Sequence, residues 1–223
     1  MTICLVTDRR RLAPAGATEI DARRCVVEQA RCAVDAGIDL IQVRERDLEA
    51  AALAALVSAV LDAARGSATR VVVNDRLDVA LGCGADGVHL RGDSIAPLEA
   101  RRLAPAGFLI GRSVHTVEEA AGAEGADYLI AGTVFETSSK ARGHACLGLD
   151  GLAAIVRRAA APALAIGGVT AERIDAIAAA GAAGIAAIGL FIGAVSAERC
   201  AAIPLRDIVA RARRRFDSVN SAP

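Results

Sequence analysis

The sequence predicts a single (β/α)₈ barrel on three observations: a length of 223 residues, apolar strand-like runs alternating with longer alanine-rich stretches, and a small-residue phrase recurring before several of those runs. Length sets the frame. A chain of this size is long for one domain of most classes, but α/β barrels occupy this range as one domain. The barrel is expected over residues 1–215, with a short polar tail over 216–223 that is expected to be disordered.

The runs come first. Stretches that read as fully buried strands fall near Thr2–Thr7, Asp39–Val43, Arg70–Asn74, Gly87–Leu90, Leu109–Arg112, Tyr128–Gly132, Ala163–Ile166 and Gly184–Ile188. Helical, alanine-rich patterns fill most of the intervals. An open doubly wound sheet more often stops at about five or six strands, so this many alternations favour closure. The phrases AGIDLIQV, GADGVHL, GADYLIAG and AGAAGIAAIG each put glycine or alanine at a helix end just before a strand, where a left-handed cap is needed. That is a weak repeat of the βα unit. The last segment, LRDIVARARRRFDSVNSAP, reads as a closing helix whose arginines favour the helix dipole.

Composition narrows the function classes. Apolar residues make up 54% of the chain but aromatics only 2%, so the core is built from small side chains in closely packed helices. Lys+Arg and Asp+Glu balance at 26 each, which leaves no overall field to gather nucleic acid or an acidic membrane. The N-terminus MTICLVTDRR has too short an apolar stretch for a signal peptide, and no segment approaches the roughly 20 apolar residues of a membrane span. A cytoplasmic protein is the default expectation, and a homo-oligomer is left open. The six cysteines form no C-x-x-C pair, which argues against structural zinc or a redox pair and for buried thiols.

In such a barrel, polar residues at the C-terminal ends of the strands share one mouth however far apart they lie in sequence. The second strand ends in Gln42-Val43-Arg44-Glu45-Arg46, which alternates so that Gln42, Arg44 and Arg46 share a face. Two guanidiniums there suit a multiply charged anion, and the alternative is an ion pair with Glu45 or Asp47. The third strand ends in Asn74-Asp75, and Asp93 follows the fourth. Two such carboxylates could hold Mg²⁺ together with a diphosphate, and the alternative is that either aspartate caps the following helix. Ser113 follows the fifth strand, and the loop after the sixth carries Thr137, Ser138, Ser139 and Lys140, hydroxyls with one point charge, suited to phosphate and to a mobile lid through His144. Gly167-Gly168 after the seventh strand and Ile188-Gly189 after the eighth let backbone N–H groups approach a phosphate. For His89, His115 and His144, hydrogen-bonded structural roles are the simpler reading, since no metal-binding spacing joins them.

Taken together, LVTD, IQVRERD, VVVNDRLDVAL, GADGVHL, IGRSVHT, GADYLIAGTVFETSSK, LAIGGVT and AGAAGIAAIG resemble the thiamine phosphate synthase and TenI superfamily over about residues 3–195. The resemblance implies a Mg²⁺-dependent transferase that joins hydroxymethylpyrimidine diphosphate to hydroxyethylthiazole phosphate and releases diphosphate. It also implies roles. Gln42, Arg44 and Arg46 fall on the family's diphosphate-holding Q-x-R-x-K, with Arg46 in place of lysine. Asn74 falls on a pyrimidine and diphosphate contact, Asp75 and Asp93 on the Mg²⁺ ligands, and Ser113 and Lys140 on further diphosphate contacts. Arg44, Ser113 and Lys140 are the expected catalytic set. Thr137, Ser139, Gly168, Ile188 and Gly189 fall around the thiazole phosphate.

Three departures are visible. His89-Leu90-Arg91-Gly92-Asp93 stands where the family has H-L-G-Q-x-D, Glu136 replaces a proline, and Gly189 replaces a serine. They leave two other readings, a TenI-like thiazole tautomerase and a non-catalytic thiazole-phosphate-binding regulatory protein. The tautomerase's acid/base histidine would fall at Thr133, and threonine cannot move a proton as histidine does near neutral pH.

Overall fold

A computed structural model describes residues 1–137, 145–192 and 205–220. Eight parallel strands close into one barrel in chain order, β1 (Thr2–Val6), β2 (Leu40–Val43), β3 (Arg70–Asn74), β4 (Gly87–Leu90), β5 (Leu109–Val114), β6 (Tyr128–Gly132), β7 (Ala163–Ile166) and β8 (Gly184–Ala187), with β1 pairing β8. Helices follow the strands around the outside. They are α1 (Arg9–Leu12), α2 (Glu19–Asp35), α3 (Ala50–Ala64), α4 (Leu77–Cys83), α5 (Pro97–Leu103), α6 (Val117–Ala121), α7 (Gly148–Arg158), α8 (Ile174–Ala179), α9 (Gly189–Ile192) and α10 (Leu205–Asn220).

Strand alternation sorts the side chains into two cores. Ile3, Leu5, Ile41, Val43, Val71, Val73, Val88 and Leu90 point outward and pack under the apolar faces of helices such as α2 (Val26, Ala30, Ala33) and α3 (Leu53, Leu56, Val57, Val60). Cys4, Val6, Leu40, Val72, Tyr128, Ile130, Leu164 and Ala186 fill the barrel itself. The chain's single tyrosine needs glycine opposite it. A β-carbon on Gly111 would lie 2.2 Å from the Tyr128 ring and 2.4 Å from His89.

The recurring phrases do two jobs at the base of the barrel. Gly37, Gly84, Gly125 and Gly181 all have positive φ, as the caps require. In three of the four phrases an aspartate then reaches across to the preceding strand: Asp39 Oδ2 accepts from the Ile3 N–H, Asp86 Oδ2 from Val71 and Asp127 Oδ2 from Ile110, each at 2.7 Å. Each carboxylate also meets an arginine, Arg213, Arg70 and Arg101 in turn.

Several boundaries differ from those the sequence suggests. Strand β5 runs on to Val114, while β8 stops at Ala187 because Gly189 already opens α9. The helix α10 continues to Asn220, past the point where the tail was expected to begin, because Phe216 is buried at 1% exposure with Leu205, Val209 and Ala212. Residues 221–223 lie outside the described residues. The buried-thiol reading holds for Cys4, but Cys25 and Cys83 are half-buried and Cys32 and Cys146 are exposed; Cys200 lies outside the described residues.

Candidate active site

At the C-terminal end of the barrel the interior becomes polar on one side. Gln42, Asn74, His89 and Ser113, from β2 to β5, share the inward face, and the register sets Asn74 beside His89. Gln42 Nε2 donates to Asn74 Oδ1 at 3.2 Å, and His89 Nε2 lies 2.9 Å from Ser113 Oγ. Complete burial pushes the His89 imidazole down to about 3, with the nearby Arg112 and Arg44 charges adding to the shift. It therefore stays neutral and orients Ser113. The opposite side is apolar, with Val6, Ile130, Ile166, Ala186 and Ile188 lining the same cavity. One polar wall and one apolar wall suit a flat heteroaromatic ring with a charged substituent.

The ends of β1 and β2 are locked together by Arg9. This residue is 2% exposed, and its guanidinium binds Glu45 at 3.0 Å, Asp47 at 2.6 Å and Glu19 at 2.6 Å. Glu45 also accepts from Thr7 Oγ1 at 2.7 Å, and Thr7 Oγ1 accepts from the Arg44 N–H at 2.9 Å. Burial raises the Glu45 carboxyl above its usual range, while the Arg9 hydrogen bond holds Asp47 down at about 2. Glu45 and Asp47 are thus committed to Arg9, and Asp47 also to Arg10. The ion-pair alternative for Arg44 and Arg46 is not realised: neither guanidinium has a partner among the described residues. Burial and the neighbouring Arg46 lower Arg44 from its ordinary value, against the opposing charges of Asp8 and Glu45.

The mouth holds two adjoining cavities that share Asn74. The larger, about 580 Å³, brings together Gln42, Arg44, Asn74, Ser113, Thr137, Gly168, Ile188 and Gly189 from the expected set. The smaller, about 350 Å³, holds Arg46, Asp75, Arg76 and Arg91. Asp93 lines neither; its side chain is 68% exposed and reaches the site through Arg91 alone, the guanidinium of which bridges Asp93 and Asp75. The hydroxyl of Ser94, and not the Asp93 carboxylate, meets Asp75 directly. Ser139 and Lys140, with the rest of the expected lid through His144, lie outside the described residues.

Sequence reasoning missed four participants. Asp8 and Arg11 line the larger cavity, as does Arg173, whose Nη1 donates to the Gly168 carbonyl at 2.6 Å while its guanidinium lies 4.5 Å from the Phe135 ring centroid. Arg91 is the fourth. The run Asp8-Arg9-Arg10-Arg11 directly after β1 was the available signal, since it is a strand end like the others. Gly167 and Gly168 both have positive φ, and a β-carbon on Gly168 would lie 2.6 Å from the Glu136 carbonyl oxygen, so the seventh loop folds tightly against the sixth.

The family described as thiamine monophosphate synthase matches residues 12–191, which include these strand ends from Gln42 to Gly189. The chain belongs to the thiamine monophosphate synthase family. Among other members, a thiamine-phosphate synthase from Methanoculleus marisnigri is 41% identical over 192 residues, covering 85% of this chain and 90% of that one. A thiamine-phosphate synthase from Anaeromyxobacter dehalogenans is 45% identical over 178 residues, covering 79% and 80%. The solved thiamine phosphate pyrophosphorylase of Pyrococcus furiosus superposes with a TM-score of 0.77 at 32% identity, covering 98% of this chain and 96% of that one. A 3-hexulose-6-phosphate synthase from Salmonella typhimurium, at 16% identity and TM-score 0.69, shares the fold alone.

Proposed function

We propose that this member of the thiamine monophosphate synthase family is a transferase that condenses hydroxymethylpyrimidine diphosphate with hydroxyethylthiazole phosphate to give thiamine phosphate and diphosphate. The observation that carries this reading is the mouth, where Arg44 lines the larger cavity and Arg46 the smaller one that adjoins it at Asn74, neither guanidinium having a partner among the described residues, while Gly168 and Gly189 line the larger cavity. A reaction of one diphosphate and one monophosphate substrate needs two anion-holding regions at one mouth, with an apolar wall between them for the rings.

The chemistry asks little covalent help of the protein. The bond between the pyrimidine methylene carbon and the diphosphate oxygen breaks, and its electron pair leaves on the diphosphate. The thiazole nitrogen lone pair then forms the new C–N bond, giving a thiazolium with no net proton transfer. Catalysis rests on alignment and on stabilising the leaving charge. On this reading Gln42, Arg44, Arg46, Asn74 and Ser113 hold the pyrimidine diphosphate, Ser113 being oriented by neutral His89. Lys140 completes that set. Thr137, Ser139, Gly168, Ile188 and Gly189 hold the thiazole phosphate, with Arg11 available beside Gly189, where a β-carbon would lie 3.5 Å from its Nη2.

Mg²⁺ at Asp75 and Asp93 is the expectation that fits this chain least. The Arg91 guanidinium already bridges the two carboxylates, and no group of three or more metal-binding side chains is present among the described residues. No step is therefore assigned to the metal. Among the described residues no helix is long and apolar enough to cross a membrane.

The tautomerase alternative lacks the histidine its resemblance requires, since Thr133 stands at that position; of the other candidates His89 is neutral and buried, His115 lines the mouth with its Nδ1 on the Gly132 carbonyl, and His144 lies outside the described residues. The deciding experiment is incubation with both phosphorylated precursors and chromatographic detection of thiamine phosphate. Stoichiometric diphosphate release with product is the expected result. Bound thiazole phosphate without product would reject the transferase in favour of a binding protein.

A further inference from the structure

We infer that Arg91 is the resident counter-charge for the departing diphosphate, standing between Asp75 and Asp93 where a divalent cation was expected, so that this chain binds diphosphate without metal. The inference rests on the transferase reading and deepens it.

Arg91 follows β4 directly, and its side chain is 37% exposed at the edge of the smaller cavity. Its Nη1 lies 3.3 Å from Asp75 Oδ2 and its Nη2 is bound to Asp93. The backbone beneath it is fixed: the Arg91 N–H donates to Ser94 Oγ at 3.0 Å, and Ser94 Oγ in turn meets Asp75. Arg112 holds the rest of this loop through the carbonyls of Gly92 and Ile95, both at 2.9 Å. Asp75 is equally constrained, with φ of 67° and its N–H bonded to the His89 carbonyl at 2.8 Å.

The pairing in this cavity leaves one cation over and no free carboxylate. Glu45 and Asp47 lie on its wall but are bound to Arg9, while Asp75 shares Arg91 with Asp93, and Arg46 and Arg76 line the same space. Of these, Arg76 is bound to Asp78 at 2.5 Å, whereas Arg46 has no partner among the described residues. A Mg²⁺ ion demands near-octahedral oxygen ligands and an emptied centre. A guanidinium needs neither, since it has five N–H donors, and the two that Asp75 and Asp93 take leave others for phosphate oxygens. The residue directly after His89-Leu90 thus carries a fixed charge into this cavity.

Titration calorimetry with inorganic diphosphate on the full chain tests this, once in EDTA and once with excess Mg²⁺, paired with electron paramagnetic resonance of added Mn²⁺. The wild-type affinity is expected to agree within about threefold between the two conditions, with no tight Mn²⁺ signal. Arg91→Gly is expected to lose about tenfold or more in EDTA, equivalent to about 1.4 kcal/mol, and to recover with Mg²⁺ while gaining a bound Mn²⁺ signal. Arg91→Lys, which keeps a charge in place, is expected to remain metal-independent. Wild-type binding that requires Mg²⁺, or Arg91→Gly binding as tightly as wild type in EDTA, overturns the inference and leaves the transferase reading intact. No diphosphate binding under either condition overturns both. Should Arg91→Gly fail to fold, the wild-type and Arg91→Lys measurements decide alone.

Discussion

Burial of His89 beside two arginines holds its imidazole down at about 3, well below the ordinary value of 6.5. A group with a depressed folded pKa that must be neutral in the folded protein contributes its full stability above pH 6.5, and that stability declines as pH falls from 6.5 toward 3. The expected slope is about 1.4 kcal/mol per pH unit over that window. Urea midpoints at pH 7 and pH 5 should therefore separate wild type from His89→Gln, the wild type losing about 2 kcal/mol more on acidification; equal losses would show that His89 is not the acid-labile group. Arg44 offers a second residue-level expectation. Its half-buried guanidinium lines the mouth with no partner among the described residues, and charged hydrogen bonds are worth roughly 1.5–3 kcal/mol. Arg44→Ala should lower kcat/KM for the pyrimidine diphosphate about 10- to 100-fold. Arg44→Lys should restore only part, because the forked geometry is lost.

At the scale of the element, the βα unit was legible where its signals are local. Gly37, Gly84, Gly125 and Gly181 announce turns because left-handed backbone selects glycine, and β2, β4, β6 and β8 follow directly after them. Gln42, Arg44 and Asn74 could be assigned to the mouth because a strand's alternation fixes which side chains point inward. What could not be read is whatever depends on a partner from another unit. Nothing in Asp8-Arg9-Arg10-Arg11 distinguishes the buried Arg9, held by three carboxylates, from exposed Arg10 or cavity-lining Arg11. Likewise Asp93 and Ser94 are adjacent in sequence, and only the course of the loop turns Ser94 onto Asp75. The aspartates at the base make a test of this scale. Asp127→Ala removes the acceptor of the Ile110 N–H and the partner of Arg101, and should cost about 1–3 kcal/mol in urea unfolding with the active site unperturbed. A cost near zero would mean water replaces the carboxylate.

For the whole molecule, closure is the governing fact. Strand β1 pairs with β8, and α10 packs against α2 and α8, burying Leu205, Val209, Ala212 and Phe216. Arg213 fastens the same helix to the Met1 carbonyl at 3.2 Å, to the Gly37 carbonyl at 2.8 Å and to Asp39 at 2.9 Å. Removal of α10 should therefore cost far more than a terminal trim. Exposing Leu205, Val209 and Phe216 at roughly 1.5–3 kcal/mol each, with a smaller loss at Ala212, rivals the net stability of a typical domain. A chain ending at Ile192 is expected to lose its cooperative far-ultraviolet unfolding transition or to aggregate on a sizing column. A sharp, wild-type-like transition would show that α10 is dispensable.

That same fastening orders events during synthesis. Strand β1 is made well before β8 and α10, so the edge it presents to β8 and the bonds it owes Arg213 stay open while the residues between them are synthesised. An open strand edge of that kind is the surface on which a holding chaperone acts.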